Sequence, residues 1–260
     1  MTWPCSPIWR FELKVAETKQ KGVFITGTDT GVGKTIVAAA LASYLTRFGL
    51  RVGVMKPVET GVESTDQLGA DARLLSRAAK FGGDPDLISP YRFKHPISPD
   101  QAASMAGVRI EHHRLLQQAE KLQEESDFLI VEGAGGIMVP LMGGYLMADL
   151  VRDLDLPLVV VAKPTLGTIN HTLLTTYAAR SLNLEVCGIF INDMPNQPDT
   201  AENNAPHAIA SLGSASILGV LPHIDGSDED IYLRLADHFA QMETRPWLHA
   251  ALGLTIKGAN

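Results

Sequence analysis

The tripeptide Gly33-Lys34-Thr35 stands between a short apolar segment and an alanine-rich one. The segment that precedes the loop, residues 22–26 (GVFIT), is apolar and rich in β-branched residues, which predicts a buried strand. The segment that follows has apolar residues at helical spacing. Backbone N–H groups of a loop that opens a helix attract anions, and the helix dipole adds to this attraction. The pattern therefore predicts a phosphate-binding loop, in which Lys34 neutralises the outer phosphates and the Thr35 hydroxyl contacts Mg²⁺.

The spacing within this loop differs from the usual one. A phosphate loop commonly has four residues between its first glycine and the Gly-Lys pair, whereas five residues separate Gly27 from Gly33. We retain the prediction because a strand, a glycine loop and a helix follow one another in the required order; the alternative is a structural turn. The loop residues expected around the nucleotide, besides Lys34 and Thr35, are Gly27, Thr28, Asp29, Thr30, Gly31, Val32 and Gly33.

The composition is typical of a globular protein. With 45% hydrophobic and 20% charged residues, the 260-residue chain has enough apolar material for a sizeable core. Its formal net charge of −7 and the lack of a basic run argue against nucleic acid as a partner. No apolar stretch approaches the length of a membrane span, and the first residues lack the apolar region of a signal peptide. Together with the two distant cysteines, Cys5 and Cys187, these features favour a reducing cytoplasm.

Apolar strands alternate with helices along the chain, which predicts a three-layer α/β fold with a mostly parallel central sheet flanked by helices. No linker or repeat divides it, so we expect one phosphate-loop domain over residues 21–260. Residues 1–20 do not fit the alternation; they are a loosely attached extension, an extra strand near Trp9–Val15, or a consequence of the chosen start site. Beyond residues 22–26, strands are predicted at 51–57, 127–132, 156–162, 186–191 and 217–221. The helices after the first are predicted at 65–80, with Thr65 or Asp66 as the cap, and at 110–126, 146–154, 168–183, 201–212 and 231–242.

Ligands of such sheets bind outside the carboxyl ends of the strands, so polar residues that follow strands are candidates for a site. Lys56 follows the second predicted strand and could neutralise a transferred phosphoryl group or hold an anionic substrate; an ordinary surface lysine is the alternative. Glu132 ends the third strand, just before the glycine-rich residues 133–136, and could hold a metal ion; a solvated turn residue is the alternative. Asp71 lies near a helix start, and a helix cap and a Mg²⁺ ligand are equally good interpretations.

Other polar residues are expected at the same edge of the sheet. Asn192 and Asp193 end the fifth strand. An amide offers a donor and an acceptor together, which suits the edge of a purine base, although Asn-Asp is also common in turns. Residues 167–170 open a helix whose backbone N–H groups could hold a second anion, and His171 beside them is more typical of packing or capping.

Several motifs together resemble the dethiobiotin synthetase family, from about Gly22 to about Met242. The five-residue loop spacing is the form that this family uses. The stretches that carry the resemblance are Gly27–Thr35 (GTDTGVGKT), Lys56–Val58 (KPV), Pro96–Pro99 (PISP), Glu132–Gly136 (EGAGG), Leu166–His171 (LGTINH) and Leu218–Pro222 (LGVLP).

The resemblance implies an ATP-dependent ring closure in biotin biosynthesis. Its substrates are 7,8-diaminononanoate (diaminopelargonic acid) and CO₂, and its products are dethiobiotin, ADP and phosphate. One amine becomes a carbamate, ATP phosphorylates the carbamate, and the second amine attacks it. The residues suit this chemistry, because a carbamate needs a phosphoryl leaving group and because two anions meet only where cations hold them. Lys34, Lys56 and Mg²⁺ would be those cations.

The resemblance also implies roles by position. Thr35, Asp71 and Glu132 would associate with the metal ion, and Thr30 and Lys34 would contact the phosphates. Lys56 and Thr60 would contact the carbamate, and Asn192 would contact adenine, with the Pro222 segment beside the base. Asp193 would be a further nucleotide contact and Gly135 a further substrate contact. It further implies a homodimer, in which backbone amides of one subunit, at Gly167, Thr168 and Asn170, hold the substrate carboxylate in the other. Some members have a polar or acidic residue at the position of Gly31, so no side-chain role is carried over there.

Other classes of ATP-binding protein are the alternatives. A partitioning or positioning ATPase would carry a signature lysine where this loop has Asp29. An amidotransferase-type cofactor synthetase would need a glutaminase domain with a catalytic cysteine, for which 260 residues leave no room, and Cys187 lies within a predicted strand. A regulatory nucleotide-binding module is a third alternative.

Overall fold

The central sheet consists of six parallel strands in the order β11-β10-β9-β2-β6-β3. The computed structural model of the protein describes residues 13–15, 22–213 and 215–256. Within them the strands are β1 Leu13–Val15, β2 Gly22–Gly27, β3 Val52–Met55, β4 Val58–Thr60, β5 Tyr91–Phe93, β6 Phe128–Glu132, β7 Pro140–Met142, β8 Tyr145–Leu146, β9 Leu158–Ala162, β10 Val186–Met194, β11 Ile217–Pro222 and β12 Leu254–Ile256. The helices are α1 Lys34–Arg47, α2 Ala70–Ala79, α3 Pro85–Ile88, α4 Pro99–Met105, α5 His112–Glu125, α6 Met147–Leu154, α7 Thr168–Ser181, α8 Thr200–Leu212, α9 Asp228–Gln241 and α10 Arg245–Ala251.

Helices cover both faces of this sheet, which explains why its strands are continuous apolar runs. Side chains alternate between the faces along a strand. In β2, Val23 and Ile25 pack into the core formed with α1 and α9, whereas Phe24 packs into the core formed with α5 and α6. The arrangement has three layers, and the predicted fold class is confirmed.

The order of the strands determines which loops meet. Strand β6 lies between β2 and β3, and all three run in the same direction. Their carboxyl ends therefore share one edge of the sheet, where the loop after β2, Lys56 after β3 and Glu132 at the end of β6 come together.

The predicted start of the helix at 65–80 is wrong, as is the cap assigned to Thr65 or Asp66. Helix α2 begins at Ala70, and its N-cap is Gly69 in an extended conformation. The guanidinium of Arg92 donates to the carbonyl oxygen of Thr65 over 2.8 Å. This contact holds the preceding residues in a loop, so a sequence with acceptable cap residues does not become helical there.

Three two-stranded sheets lie outside the sequence prediction: β4 with β5, β7 with β8, and β1 with β12. Strands β4 and β5 pair in parallel, with Glu59 opposite Arg92. Strand β1 pairs antiparallel with β12. A strand is thus present within the segment 9–15 that was one of three alternatives for the N-terminus, but only as Leu13–Val15; residues 1–12 and 16–21 lie outside the described residues. The domain boundary at residue 20 stays a prediction. Among the described residues, no helix is both long and apolar enough to cross a membrane.

Candidate functional site

The loop between β2 and α1 is held in a conformation that only glycine adopts easily. Gly31 and Gly33 have φ angles of 68° and 90°, in the left-handed region. The Asn192 side chain packs directly against Gly33, where an added Cβ would collide with its amide nitrogen. The same amide donates a hydrogen bond to the carbonyl oxygen of Val32 over 3.0 Å. Strand β10 therefore supports the loop from the side through Asn192.

Helix α1 begins with its N-terminal backbone groups available to an anion. Its N-cap is Gly33, which provides no side-chain cap, and its first turn contains no acidic residue. A helix start of this kind favours a bound negative charge through its N–H groups and dipole. The local sequence and the backbone geometry both favour phosphate binding here.

Lys34 is buried at the start of this helix, with 7% of its surface exposed. Its ammonium donates to the backbone carbonyl of Asp29 over 3.2 Å, so the side chain folds back over the loop. Burial lowers the pKa of Lys34, and the nearby carboxylate of Glu132 opposes this shift. An anion placed on the loop would gain from this cation and stabilise its charged form.

A second buried lysine, Lys56, lies between two carboxylates. Its ammonium is 2.6 Å from Oε1 of Glu132 and 2.8 Å from Oδ2 of Asp71. The Thr35 hydroxyl donates to the same Glu132 oxygen over 2.8 Å. Residues from the ends of β3 and β6 and from the starts of α1 and α2 thus converge on one cluster.

The charges in this cluster stabilise one another. Burial lowers the pKa of Lys56, but the carboxylates of Glu132 and Asp71 outweigh burial, and the net pKa is raised. Burial alone would raise the pKa of Asp71, yet the Lys56 ammonium brings it below its usual value. Burial raises the pKa of Glu132, and Lys56 counteracts that rise. At neutral pH, Lys56 is therefore an ammonium ion, suited to holding an anion and unsuited to acting as a nucleophile.

The cluster also has the character of a site for a hard divalent cation. The second carboxylate oxygen of Glu132, Oε2, is buried and has no hydrogen-bond partner among the described residues. The Thr35 hydroxyl contacts the other oxygen of Glu132, and the Asp71 carboxylate shares the Lys56 ammonium with Glu132, so three oxygen donors of the type that Mg²⁺ prefers are grouped beside the phosphate loop. Within the same described part of the chain, no group of three or more His, Cys, Asp or Glu side chains forms a metal site by itself. Mg²⁺ commonly uses few protein ligands and completes its shell with phosphates and water, and the donors present fit it.

One cavity of about 410 Å³ contains both lysines. Its volume lies in the range of small-molecule sites. Of the predicted site residues, those that line it are Thr30, Gly31, Gly33, Lys34, Thr35, Lys56, Thr60, Asp71, Glu132 and Gly135. The phosphate loop and the candidate anion-holding lysine therefore face the same space.

The residues predicted near a nucleobase lie at the same edge of the sheet, where β10 and β11 end. Strands β10 and β11 pair so that Met194 lies opposite Pro222, which brings the ends of these strands together. Asp193, with φ 70°, has its carboxylate 2.6 Å from the His223 imidazole and 3.6 Å from the Lys163 ammonium. Asn192 faces the phosphate loop, while the Asp193 carboxylate is already engaged by the side chains of His223 and Lys163.

The predicted second anion site lies apart from this cavity. Gly167, with φ 96°, is the N-cap of α7, the Thr168 side chain is buried and Asn170 is exposed. None of these three is among the described residues that line the cavity. Leu166 just before them is 91% exposed. The helix start is present, but a single chain does not bring it to the lysines.

The sequence prediction missed Glu59, a buried carboxylate on β4 that also lines the cavity. Its Oε1 accepts a hydrogen bond from the backbone N–H of Asp71 over 2.8 Å, and its Oε2 accepts from that of Ala72 over 3.4 Å. Only an indirect feature of the sequence could have indicated this contact: the residue before α2 is Gly69, which has no side chain to cap the helix. A helix without a local cap needs an acceptor from elsewhere in the chain.

The sequence of this protein is similar to those of known proteins over most of its length. A family model described as an AAA domain matches residues 21–230. The ATP-dependent dethiobiotin synthetase BioD of Thermodesulfovibrio yellowstonii is 41% identical over 219 residues, which are 80% of this chain and 91% of that protein. The protein of the same name from Bacillus subtilis (strain 168) is 38% identical over 219 residues, which are 84% of this chain and 94% of its own length.

Solved structures share the fold at much lower sequence identity. The MinD cell division protein of Aquifex aeolicus has a TM-score of 0.51 and 16% identity, covering 90% of this chain and 94% of that one. A ParA family ATPase from Chlorobium tepidum TLS has a TM-score of 0.51 and 18% identity, covering 89% of this chain and 99% of that one. At such identities the similarity concerns the fold alone.

Proposed function

The chain belongs to the family of ATP-dependent dethiobiotin synthetases, and on this basis we propose how its site closes the cyclic urea of dethiobiotin. The reaction is that of an ATP-dependent ligase in biotin biosynthesis. It joins 7,8-diaminononanoate and CO₂, and it releases ADP and phosphate. The single observation that carries the proposal is that the Lys56 ammonium and the phosphate loop share one cavity.

The chemistry requires two anions, a carbamate and the γ-phosphate of ATP, to react with each other. The lone pair of one amine attacks the carbon of CO₂ and, after losing a proton, forms a carbamate. A carbamate oxygen then attacks the γ-phosphorus of ATP, ADP leaves, and a carbamic-phosphoric anhydride forms. The second amine attacks the carbonyl carbon of this anhydride, phosphate leaves with the bonding electrons, the attacking nitrogen loses a proton, and the urea ring closes. No protein nucleophile is needed in this sequence.

The two buried lysines bring these anions together. The phosphate loop and Lys34 hold the β- and γ-phosphates of ATP, because the loop presents N–H groups and a cation to the same point. Lys56 and Thr60 hold the carbamate, since both line the same cavity as the phosphate loop. Fixing both reactants in this way lowers the barrier mainly by proximity and by charge neutralisation.

Mg²⁺ is the divalent ion that we assign to this site. Thr35, Asp71 and Glu132 would hold it, and it would neutralise phosphate charge as the phosphoryl group is transferred. The buried Oε2 atom of Glu132 supports this assignment, because such an oxygen is costly to leave without a partner.

The nucleobase of ATP is assigned to the ends of β10 and β11. Asn192 would read the adenine edge, with the Pro222 segment beside the base. Asn192 also contacts the phosphate loop, so base recognition and loop geometry would be linked through one side chain. Asp193 would act indirectly, by holding His223 at the edge of this region.

The homodimer is the remaining part of the proposal. A second copy would bring the backbone amides at Gly167, Thr168 and Asn170 to the substrate carboxylate. Exposed apolar side chains on and beside α7 support this surface as the interface: Leu166, Leu174 and Tyr177 are 91%, 57% and 66% exposed. A dimer in sedimentation analysis of the wild type, converted to a monomer by Leu174→Asp, supports the proposal, and a wild-type monomer at all concentrations would reject it. The cytoplasmic location stays a prediction from composition.

The activity itself is tested by its dependence on the diamine. ADP release is measured with ATP alone, with bicarbonate added, and with both bicarbonate and 7,8-diaminononanoate. We expect ADP release only in the complete mixture, with dethiobiotin formed in equal amount and detected by mass spectrometry. A partitioning or positioning ATPase would ignore the diamine, so diamine-independent turnover would reject the ligase.

A further inference from the structure

Helix α2 starts without a cap of its own. Its N-cap residue, Gly69, has no side chain, yet the N–H groups at the second and third helical positions, Asp71 and Ala72, need acceptors. Glu59 supplies both from a neighbouring strand, with Oε1 on Asp71 N–H and Oε2 on Ala72 N–H. The side chain that a local cap residue would normally provide is thus replaced by one from β4.

Gly69 and Glu59 are sterically matched. A Cβ atom at Gly69 would collide with all three atoms of the Glu59 carboxylate group. Glu59 is only 5% exposed, so its carboxylate has little room to move aside. Because Gly69 has no side chain, it cannot cap α2 itself, and it leaves the space that the Glu59 carboxylate occupies.

The residue held by this contact is the one that reaches the active-site lysine. The backbone of Asp71 is bound to Glu59, and its carboxylate lies 2.8 Å from the Lys56 ammonium. The Asp71 side chain is 40% exposed, and the loop before α2 is largely exposed as well. Without a tether, the first turn of α2 would fray into that loop and take the Asp71 carboxylate with it.

We propose that Glu59 is a positioning residue that fixes the Asp71 carboxylate in the active-site cavity by holding the first turn of α2. Both oxygens of Glu59 accept backbone N–H groups of α2, so Glu59 acts on the site through Asp71 although it also lines the cavity. It also stands three positions after Lys56, at the site where β4 pairs with β5. The lysine and its partner Asp71 are therefore tied to one short strand. The inference rests on the proposed function in that it takes Asp71 to contribute to the metal and phosphate site.

The test compares Glu59 with a capping carboxylate far from the cavity. The Asp199 carboxylate caps α8, with Oδ1 accepting from Glu202 N–H over 2.8 Å, so Asp199→Ala removes a similar contact without touching the site. Glu59→Ala and Glu59→Gln are measured beside it. The readout is the rise in melting temperature that ADP produces as Mg²⁺ is titrated, together with kcat and KM for Mg-ATP.

The Mg²⁺ concentration for half of the ADP-induced rise should increase about tenfold or more in Glu59→Ala, as for other residues that orient a metal ligand. For Glu59→Gln this Mg²⁺ concentration should lie between those of the wild type and Glu59→Ala. The amide nitrogen of the glutamine would face the Ala72 N–H, and two donors cannot form a hydrogen bond. Asp199→Ala should lower the melting temperature and leave the Mg²⁺ dependence unchanged. An unchanged Mg²⁺ dependence in Glu59→Ala would overturn the proposal; if that variant fails to fold, Glu59→Gln is judged by the same criterion.

A second variant separates positioning from mere stability. Adding Gly69→Asp to Glu59→Ala restores a local cap in the space that the glutamate vacates, and the Mg²⁺ dependence should return toward that of the wild type. A double variant that regains its melting temperature but keeps the weakened Mg²⁺ dependence would contradict the proposal. ADP and Mg²⁺ binding is measured without the diamine, so failure of the ligase activity in the wild type would be seen separately.

Discussion

The Lys56 ammonium lies 2.6 Å from the Glu132 carboxylate, and both side chains are almost fully buried, at 5% and 0% exposure. Lys56 directly follows β3 and Glu132 ends β6. These strands are parallel neighbours in the sheet, so their carboxyl ends bring the two side chains together. Removing one partner of a buried ion pair is strongly destabilising, because the remaining charge is buried without a counter-charge and without water. The same contact therefore affects both the stability of the fold and the charge available to substrates.

Removing the Lys56 cation should impair catalysis and stability together. Lys56→Ala leaves Glu132 and Asp71 without their ammonium partner, so the free energy of unfolding should fall by about 3–5 kcal/mol without Mg²⁺. Diamine-dependent ADP release should fall by about a hundredfold or more. Urea unfolding and the ADP assay check the two effects. Lys121→Ala, on the exposed face of α5, is the control and should change neither; near-normal turnover in Lys56→Ala would remove Lys56 from the site.

Gly33 should be irreplaceable for a reason beyond its backbone angle. Gly33 and Gly49 have nearly equal φ angles, 90° and 88°, but an added Cβ meets Asn192 at the first and open space at the second. Both Gly→Ala variants should lose about 1–2 kcal/mol from the left-handed conformation. Only Gly33→Ala should also displace Asn192 and weaken ATP binding. Calorimetric titration with Mg-ADP checks this, and equal affinities in the two variants would contradict it.

Asn192 should link base preference to the phosphate loop. One N–H of its amide is engaged by Val32, and the proposal assigns the rest of the amide to adenine. In Asn192→Ala, KM for ATP should rise about five- to tenfold from the loss of hydrogen bonds, and KM for GTP should rise less. The ratio of kcat/KM for the two nucleotides is the measurement. An equal loss with both would mean that Asn192 serves the loop alone.

The buried His249 should make stability depend on pH. Its Nε2 lies 2.6 Å from the Tyr44 hydroxyl, and burial, aided by Arg245, lowers the pKa of His249 to about 4. In the unfolded chain this pKa is about 6.5, so between these values the unfolded state binds a proton that the folded state does not. The free energy of unfolding should therefore decrease as pH falls from about 6.5 to about 4, by at most about 3 kcal/mol, and this contribution should be fully present above about pH 6.5.

A matched variant isolates that contribution. His249→Gln retains an acceptor for Tyr44 but does not titrate in this range. The difference in unfolding free energy between wild type and variant should shrink as pH falls through the window, measured by urea unfolding at several pH values. A difference that stays constant would show that His249 does not titrate as described.

The apolar strands were predictable from sequence, whereas contacts between distant residues were not. Each strand of the central sheet has both faces buried, so its residues appear as an apolar run that can be recognised locally. Strands β4 and β5 are three residues each and lie next to prolines, which removes that signal. The start of α2 was missed because its cap, Glu59, comes from another strand, while Thr65 and Asp66 have the residue types of local caps.

The candidate site was predictable to the extent that strand ends determine it. Lys56 and Glu132 follow neighbouring strands, so the rule for parallel sheets brings them together. The contact between Asp193 and His223 could not be predicted in this way, because it depends on the conformations of the residues at the ends of β10 and β11. The helix start at Gly167 is not among the residues that line the cavity, and its proposed role depends on a second copy of the chain.

The most direct test is a crystal structure of the protein with 7,8-diaminononanoate, bicarbonate, Mg²⁺ and a non-hydrolysable ATP analogue. The account predicts a carbamate oxygen within about 3 Å of the Lys56 ammonium and a γ-phosphate oxygen within about 3 Å of that of Lys34. A diamine bound elsewhere, with Lys56 still contacting only Glu132 and Asp71, would contradict it.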